Sequence, residues 1–170
     1  MQKTHAVKLS EIDRKWWIVD ATDIILGRLA ADVAHVLRGK HKAAFVQHLD
    51  NGDNVIVVNA SKIRLSGNKA TAKVWYRHSG FPGGLTEMTY DKLLATRPEK
   101  AVEKAITGML PRTRLGRAMA HKLKVYAGPE HPHESQQPQP LKIGTFRGEA
   151  VVAGTAVAAT QTHAAEKVTT

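Results

Sequence analysis

The run Trp16-Trp17-Ile18-Val19-Asp20-Ala21 is short, apolar and rich in aromatic and β-branched residues, the profile of a strand buried on both faces. A turn begins at Thr22 or Asp23. Leu26, Leu29, Ala30, Val33, Val36 and Leu37 then recur at helical spacing up to Gly39, a natural residue just past a helix end. Val55-Ile56-Val57-Val58-Asn59 is a second buried strand, introduced by the turn-forming Asp50-Asn51-Gly52-Asp53. Two continuous apolar strands on either side of one helix predict a parallel βαβ unit covered on both faces.

Working outward, residues 73–77 form a third, more exposed strand, because Val74 and Tyr76 alternate with Lys73, Trp75 and Arg77. Residues 79–84, Ser-Gly-Phe-Pro-Gly-Gly, can only be a loop. Residues 89–95 read as a short helix. Another begins at Pro98, with Thr96-Arg97-Pro98-Glu99 as a capping box and proline in the first turn. Ala101, Val102, Ala105, Ile106 and Met109 supply its buried stripe. Residues 123–127 give a last strand, closed by Gly128-Pro129. After His133 the character changes: Gln136-Gln137-Pro138-Gln139-Pro140 reads as a linker, and residues 151–170 are rich in Ala, Val and Thr without caps. No internal repeat is present. The division is therefore an N-terminal extension (1–15), an α/β domain (16–134), and a linker with a C-terminal extension (135–170) expected to be disordered when free.

Charge narrows the function. The 170 residues carry 25 Lys and Arg against 15 Asp and Glu, a formal charge of +10 and a pI near 10.0. That balance favours a polyanion, nucleic acid before an acidic membrane. No apolar run approaches the roughly 20 residues that span a bilayer, and residues 1–15 lack the apolar centre of a signal peptide. With no cysteine, neither a disulfide frame nor a thiolate metal site can form, which fits a reducing, cytoplasmic setting. The excess lies in the middle of the chain: residues 51–134 hold 14 cations and 7 acids, against 8 and 6 in residues 1–50. Three windows, 33–49, 54–86 and 105–129, contain no acid at all, so their potential should converge on one face of the fold.

The last window holds the most specific motif. In Gly108-Met109-Leu110-Pro111-Arg112-Thr113-Arg114-Leu115-Gly116-Arg117-Ala118-Met119, three arginines fall within six positions, and Lys122 and Lys124 follow. Met109, Leu110, Leu115, Met119 and Leu123 are apolar enough to pin one side of the segment to a core. A polybasic tail lacks such anchors. A folded surface that holds guanidinium groups outward suits the phosphates of structured RNA.

Other motifs each carry a plainer alternative. Arg38-Gly39-Lys40-His41-Lys42 follows a helix end, where cations also favour the helix dipole by about 0.3–1 kcal/mol. Basic residues continuing into the loop go beyond that need and point to RNA. In Tyr76-Arg77-His78-Ser79-Gly80-Phe81-Pro82-Gly83-Gly84, glycines permit close approach to phosphates, and Tyr76 or Phe81 could stack on an unpaired base. Phosphate contact by Arg77 is the stronger half of that reading. The turn after Asp20 resembles a phosphate site in position only, because neither G-x-G-x-x-G nor a P-loop is present. His131 and His133 lack a third ligand, so a proline-stiffened turn beside phosphates is favoured over zinc. No nucleophile motif occurs, and Asp20 and Asp50 have ordinary places at a strand end and a turn.

Several blocks carry a family resemblance. They are WWIVDATDIILGRLAADVAHVLRGKHK, HLDNGDNVIVVNASKIRLSGNK, YRHSGFPGG and RPEKAVEKAITGMLPRTRLGRAMAHKLKVYAGPEHPHESQQP, covering roughly residues 14–143. In order, they resemble the bacterial form of the large-subunit ribosomal protein family numbered thirteen. The resemblance implies a three-layer α/β/α domain around a mainly parallel four-stranded sheet. It implies binding to large-subunit rRNA early in assembly, beside neighbouring large-subunit proteins, with no catalytic role, cofactor, metal, membrane or small-molecule substrate. Carried onto this chain, the rRNA contacts it implies are Arg38, Lys40, Lys42, Lys69, Arg77, His78, Arg112, Arg114, Arg117, Lys122, Lys124, His131 and His133. Residues 144–170 extend past the family's usual end and inherit no role. The rival readings are a nucleotide-dependent or RNA-processing enzyme built on the turn after Asp20, and a free-standing RNA regulator.

Overall fold

The computed structural model describes residues 7–144; the first six residues and the extension from 145 onward lie outside it. Its frame is the predicted βαβ unit. Strand β1 (Trp16–Asp20) runs parallel to β2 (Asn54–Val58), with Ile18 beside Ile56 and Val19 beside Val57. Helix α1 (Leu26–Arg38) connects them. It ends as a Schellman motif: the Gly39 N–H donates to the Val36 carbonyl and the Lys40 N–H to that of His35. Gly39 has φ of 81°, and a β-carbon there would stand 2.9 Å from the Asn51 backbone. Both the backbone angle and the space therefore require glycine.

A short turn of helix, α2 (Lys69–Ala72), leads into an antiparallel hairpin of β3 (Val74–His78) and β4 (Leu85–Thr89). Then come α3 (Tyr90–Thr96), α4 (Pro98–Thr107), α5 (Arg114–Ala120), β5 (Leu123–Val125) and β6 (Gln139–Pro140). The main sheet has the order β5-β2-β1-β6, and every pair in it is parallel. The hairpin is a separate two-stranded sheet.

Register separates the two faces of the main sheet. Trp17, Val19, Val55, Val57, Leu123 and Val125 lie on the side that joins the core formed with Leu29, Val33, Leu37, Val102 and Ile106 of α1 and α4. Leu110, Leu115 and Met119 close that core from the α5 region. The opposite face carries Trp16, Ile18, the fully buried Ile56 and the exposed Lys124. There the His133 ring lies 5.4 Å from that of Trp16.

The structure revises several expectations. Residues 139–140 are not linker: they form β6 on β1, and the Leu141 N–H donates to the Ile18 carbonyl. Leu141 and Ile143 pack on the core, and the Gly144 N–H reaches the Asp32 carboxylate at 2.9 Å. Proline is tolerated there because the strand is at an edge. The capping box at Thr96 does not form. Pro98 disfavours helical geometry at Arg97, which becomes the cap residue, while the Thr96 hydroxyl donates back to Lys92 within α3. Met109 is not an anchor but stands 49% exposed.

Candidate nucleic-acid interface

The basic loop after α1 is tied down by a buried carboxylate. Asp53 has no solvent exposure and accepts hydrogen bonds from the Lys15 N–H (3.0 Å), Trp17 Nε1 (3.0 Å) and Lys42 Nζ (2.6 Å), with His41 Nε2 at 2.9 Å. Burial alone would raise its pKa; the bonds from His41, Lys42, Trp17 and Lys15 outweigh burial and hold the carboxyl well below the usual carboxylate range. Lys42 also donates to the Asp13 carbonyl. Its ammonium, on a side chain still 20% exposed, is thus engaged by two acceptors of the protein itself.

Lys122 is a second such case. It is 9% exposed, and its ammonium donates to the Asp50 carboxylate and to the carbonyls of Leu37 (3.3 Å) and Gly52 (2.9 Å). Burial lowers its pKa, opposed by Asp50. It fastens the end of α1, the 50–52 turn and the start of β5 to one another, so it is a structural lysine and not a surface cation.

The remaining predicted cations face outward or nearly so. Arg38 is half-buried with its guanidinium 5.8 Å from the Phe45 ring centre, and Lys40 is exposed. Through Lys122, this corner adjoins the α5–β5 junction. On α5, Arg114 and Arg117 are exposed one turn apart, with Arg112 exposed just before the helix. Thr113 caps α5 by accepting from the Gly116 N–H at 3.2 Å. Gly116 itself is buried so tightly that a β-carbon would sit 1.8 Å from the Pro111 carbonyl oxygen. Lys69 is exposed, its ammonium 3.1 Å from Ser66 Oγ. Arg77 and His78 project from the hairpin, where His78 Nδ1 accepts from the Gly80 N–H.

Lys124 is exposed too, but on the sheet face opposite the main core, so the predicted cations do not all converge on one side. His131 and His133 are half-buried: His131 Nδ1 accepts from the His133 N–H, and His133 Nε2 lies 2.8 Å from the Tyr126 hydroxyl. Among the described residues, no three His, Asp or Glu side chains stand together as a metal-ligand set. No helix among them is long and apolar enough to cross a membrane.

The turn after Asp20 is internally satisfied. The Asp20 carboxylate accepts from the Thr22 N–H (2.9 Å), the Thr22 hydroxyl (2.7 Å) and Asn59 Nδ2 (3.0 Å). Burial would raise its pKa, but these bonds prevail and lower it, which suits a turn clasp better than a proton donor. The first amide of α1, on Leu26, is already given to the Arg64 carbonyl at 2.9 Å.

Two sets of residues escaped the reading of the sequence. Asp53 was visible only as a turn residue, although an acid just before a buried strand and next to basic residues was the available signal. Arg97 falls in the expected capping box and Lys100 on the helix that follows it, and nothing local marks either as a neighbour of Arg77.

Fold and surface together define a small parallel α/β domain with a predominantly cationic exterior and with the buried Asp53 and Lys122 each paired to an opposite charge. Compared with known proteins, residues 14–132 match the model of the family described as Ribosomal protein L13. The chain is 60% identical over 141 residues to the large ribosomal subunit protein uL13 of Streptomyces griseus, covering 83% of this chain and 96% of that one. It is 57% identical over 141 residues to the protein of that name from Nitratidesulfovibrio vulgaris, covering 83% and 98%. For that of Natranaerobius thermophilus the identity is 58% over 140 residues, covering 82% and 98%. The chain belongs to the ribosomal protein L13 family.

Proposed function

We propose that this protein is a structural, non-catalytic constituent of the large ribosomal subunit that binds large-subunit rRNA and supports early assembly in the cytoplasm. The observation that carries this reading is the α5 segment. Its inner side, Leu115, Gly116 and Met119, is locked to the core, while Arg112, Arg114 and Arg117 stand exposed with no acid bound to them among the described residues. Such arginines are carried on a backbone already fixed to the core and can form bidentate bonds with phosphates.

The mechanism is electrostatic and geometric. Lys40, Lys69, Arg77 and the α5 arginines neutralise phosphates and release counterions, while the core keeps them in register. Backbone and shape recognition dominate over base reading, as expected for folded RNA. Neighbouring large-subunit proteins are the second class of partner.

The test is binding of the full chain to deproteinised large-subunit rRNA across a salt series, with small-subunit rRNA as competitor. Selective binding with log affinity falling steeply against log salt supports the reading. Equal affinity for both RNAs would reduce it to a generic basic domain. The enzyme rival would gain only from saturable mononucleotide turnover abolished by Asp20→Asn.

A further inference from the structure

The hairpin does not simply project into solvent. Its Trp75–Met88 face looks toward α3 and α4, and between them lies a cleft of about 390 Å³. The floor is apolar: Trp75, half-exposed with part of its ring on the core, Met88, and the buried Leu93 of α3. The rim is cationic: Arg77 from β3, Arg97 at the α3–α4 junction and Lys100 in the first turn of α4. All three cations are exposed, no Asp or Glu lines the cleft, and Glu87 points from the other face of the hairpin beside Tyr76. None of the three pairs with an acid among the described residues.

A flat indole at the base of a cleft, ringed by unpaired cations, matches a nucleotide part for part. Aromatic faces stack bases of any sequence, and arginines fork onto phosphate oxygens. The volume falls within the range of about 300–1,000 Å³ typical of small-ligand sites. We propose that this cleft takes one unpaired nucleotide of the bound RNA, its base against Trp75 and its phosphates between Arg77, Arg97 and Lys100. The proposal rests on the rRNA-binding reading above and adds to it a site with a defined occupant.

The test compares two exposed neighbours on β4 that face opposite ways. Thr86 lines the cleft and pairs with Arg77; Leu85 pairs with His78 on the far side. Thr86→Glu and Leu85→Glu add the same charge one residue apart, at positions where neither disturbs the core. In the full chain bound to deproteinised large-subunit rRNA, Thr86→Glu should weaken affinity about tenfold more than Leu85→Glu. Arg97→Ala combined with Lys100→Ala should reduce the slope of log affinity against log salt by about two. Equal losses for the two glutamate variants, with wild-type selectivity for large-subunit rRNA intact, would overturn the cleft proposal alone. Absence of that selectivity in the wild type would instead sink the functional reading and the cleft with it.

Discussion

Asp53 and Lys122 give single residues control over how the basic corner is presented. Asp53 gathers β1, through Trp17 and the Lys15 backbone, and the basic loop, through His41 and Lys42, onto one carboxylate. Asp53→Asn keeps the shape but turns an acceptor into a donor among donors, and should cost about 3 kcal/mol, as when one partner of a buried pair is removed. Urea unfolding measures it. The pH dependence has a definite sign. The folded-state pKa of Asp53 lies below its unfolded value near 4, so its contribution is complete above about pH 4 and is lost as pH falls further. Asp53→Asn should therefore lose stability less steeply than wild type in acid; parallel curves would contradict this. Lys122→Met, by contrast, should lower stability by about 1–3 kcal/mol and leave the salt dependence of rRNA binding unchanged, because its charge is buried against Asp50 and backbone carbonyls. The sequence shows both lysines as basic residues in acid-poor windows. It does not show that their partners are the distant Asp53 and Asp50, since burial and pairing are decided by the fold.

At the scale of elements, periodicity was legible and irregular chemistry was not. Strands β1 and β2 and helix α1 follow directly from apolar runs and spacing, because each is buried by its own pattern. Helix α5 follows Pro111 and contains Gly116, residues of low helix propensity, so its seven residues do not stand out. In the fold Pro111 precedes the helix, and Gly116 is the residue that lets α5 lie against the Pro111 carbonyl. Strand β4, Leu-Thr-Glu-Met-Thr, has too weak an alternation to stand out, and β6 is two residues ending in proline. Gly116→Ala should therefore displace α5 and weaken rRNA binding without removing a charge, whereas Thr113→Ala should cost about 1 kcal/mol of stability by loss of a cap. Thermal unfolding and RNA titration on the same samples separate the two effects. A Gly116→Ala protein with wild-type affinity would show that α5 does not position the arginines.

For the whole molecule, the sign of the surface was readable from composition, but its arrangement was not. Thirteen residues carry the RNA expectation; the fold keeps Lys40, Lys69, Arg77, His78, Arg112, Arg114, Arg117 and Lys124 exposed, leaves Arg38, Lys42, His131 and His133 partly exposed, and buries Lys122. The triple variant Arg112→Ala, Arg114→Ala, Arg117→Ala should bind large-subunit rRNA more weakly, with a salt slope reduced by up to about three. Because its inward-facing side chains are untouched, its unfolding midpoint should stay close to wild type. Unchanged affinity and slope would remove the α5 block from the interface.

The edges of the main sheet have a consequence for the time before the protein finds its RNA. β5 is three residues long and displays Lys124, and β6 is two residues long and ends in Pro140. Neither margin offers another chain a row of free amides long enough to copy, so the main sheet gives newly made molecules little purchase on one another. A parallel sheet with longer, apolar margins would invite self-association whenever synthesis outran RNA supply. Here the blunt margins of the main sheet deny free copies that route.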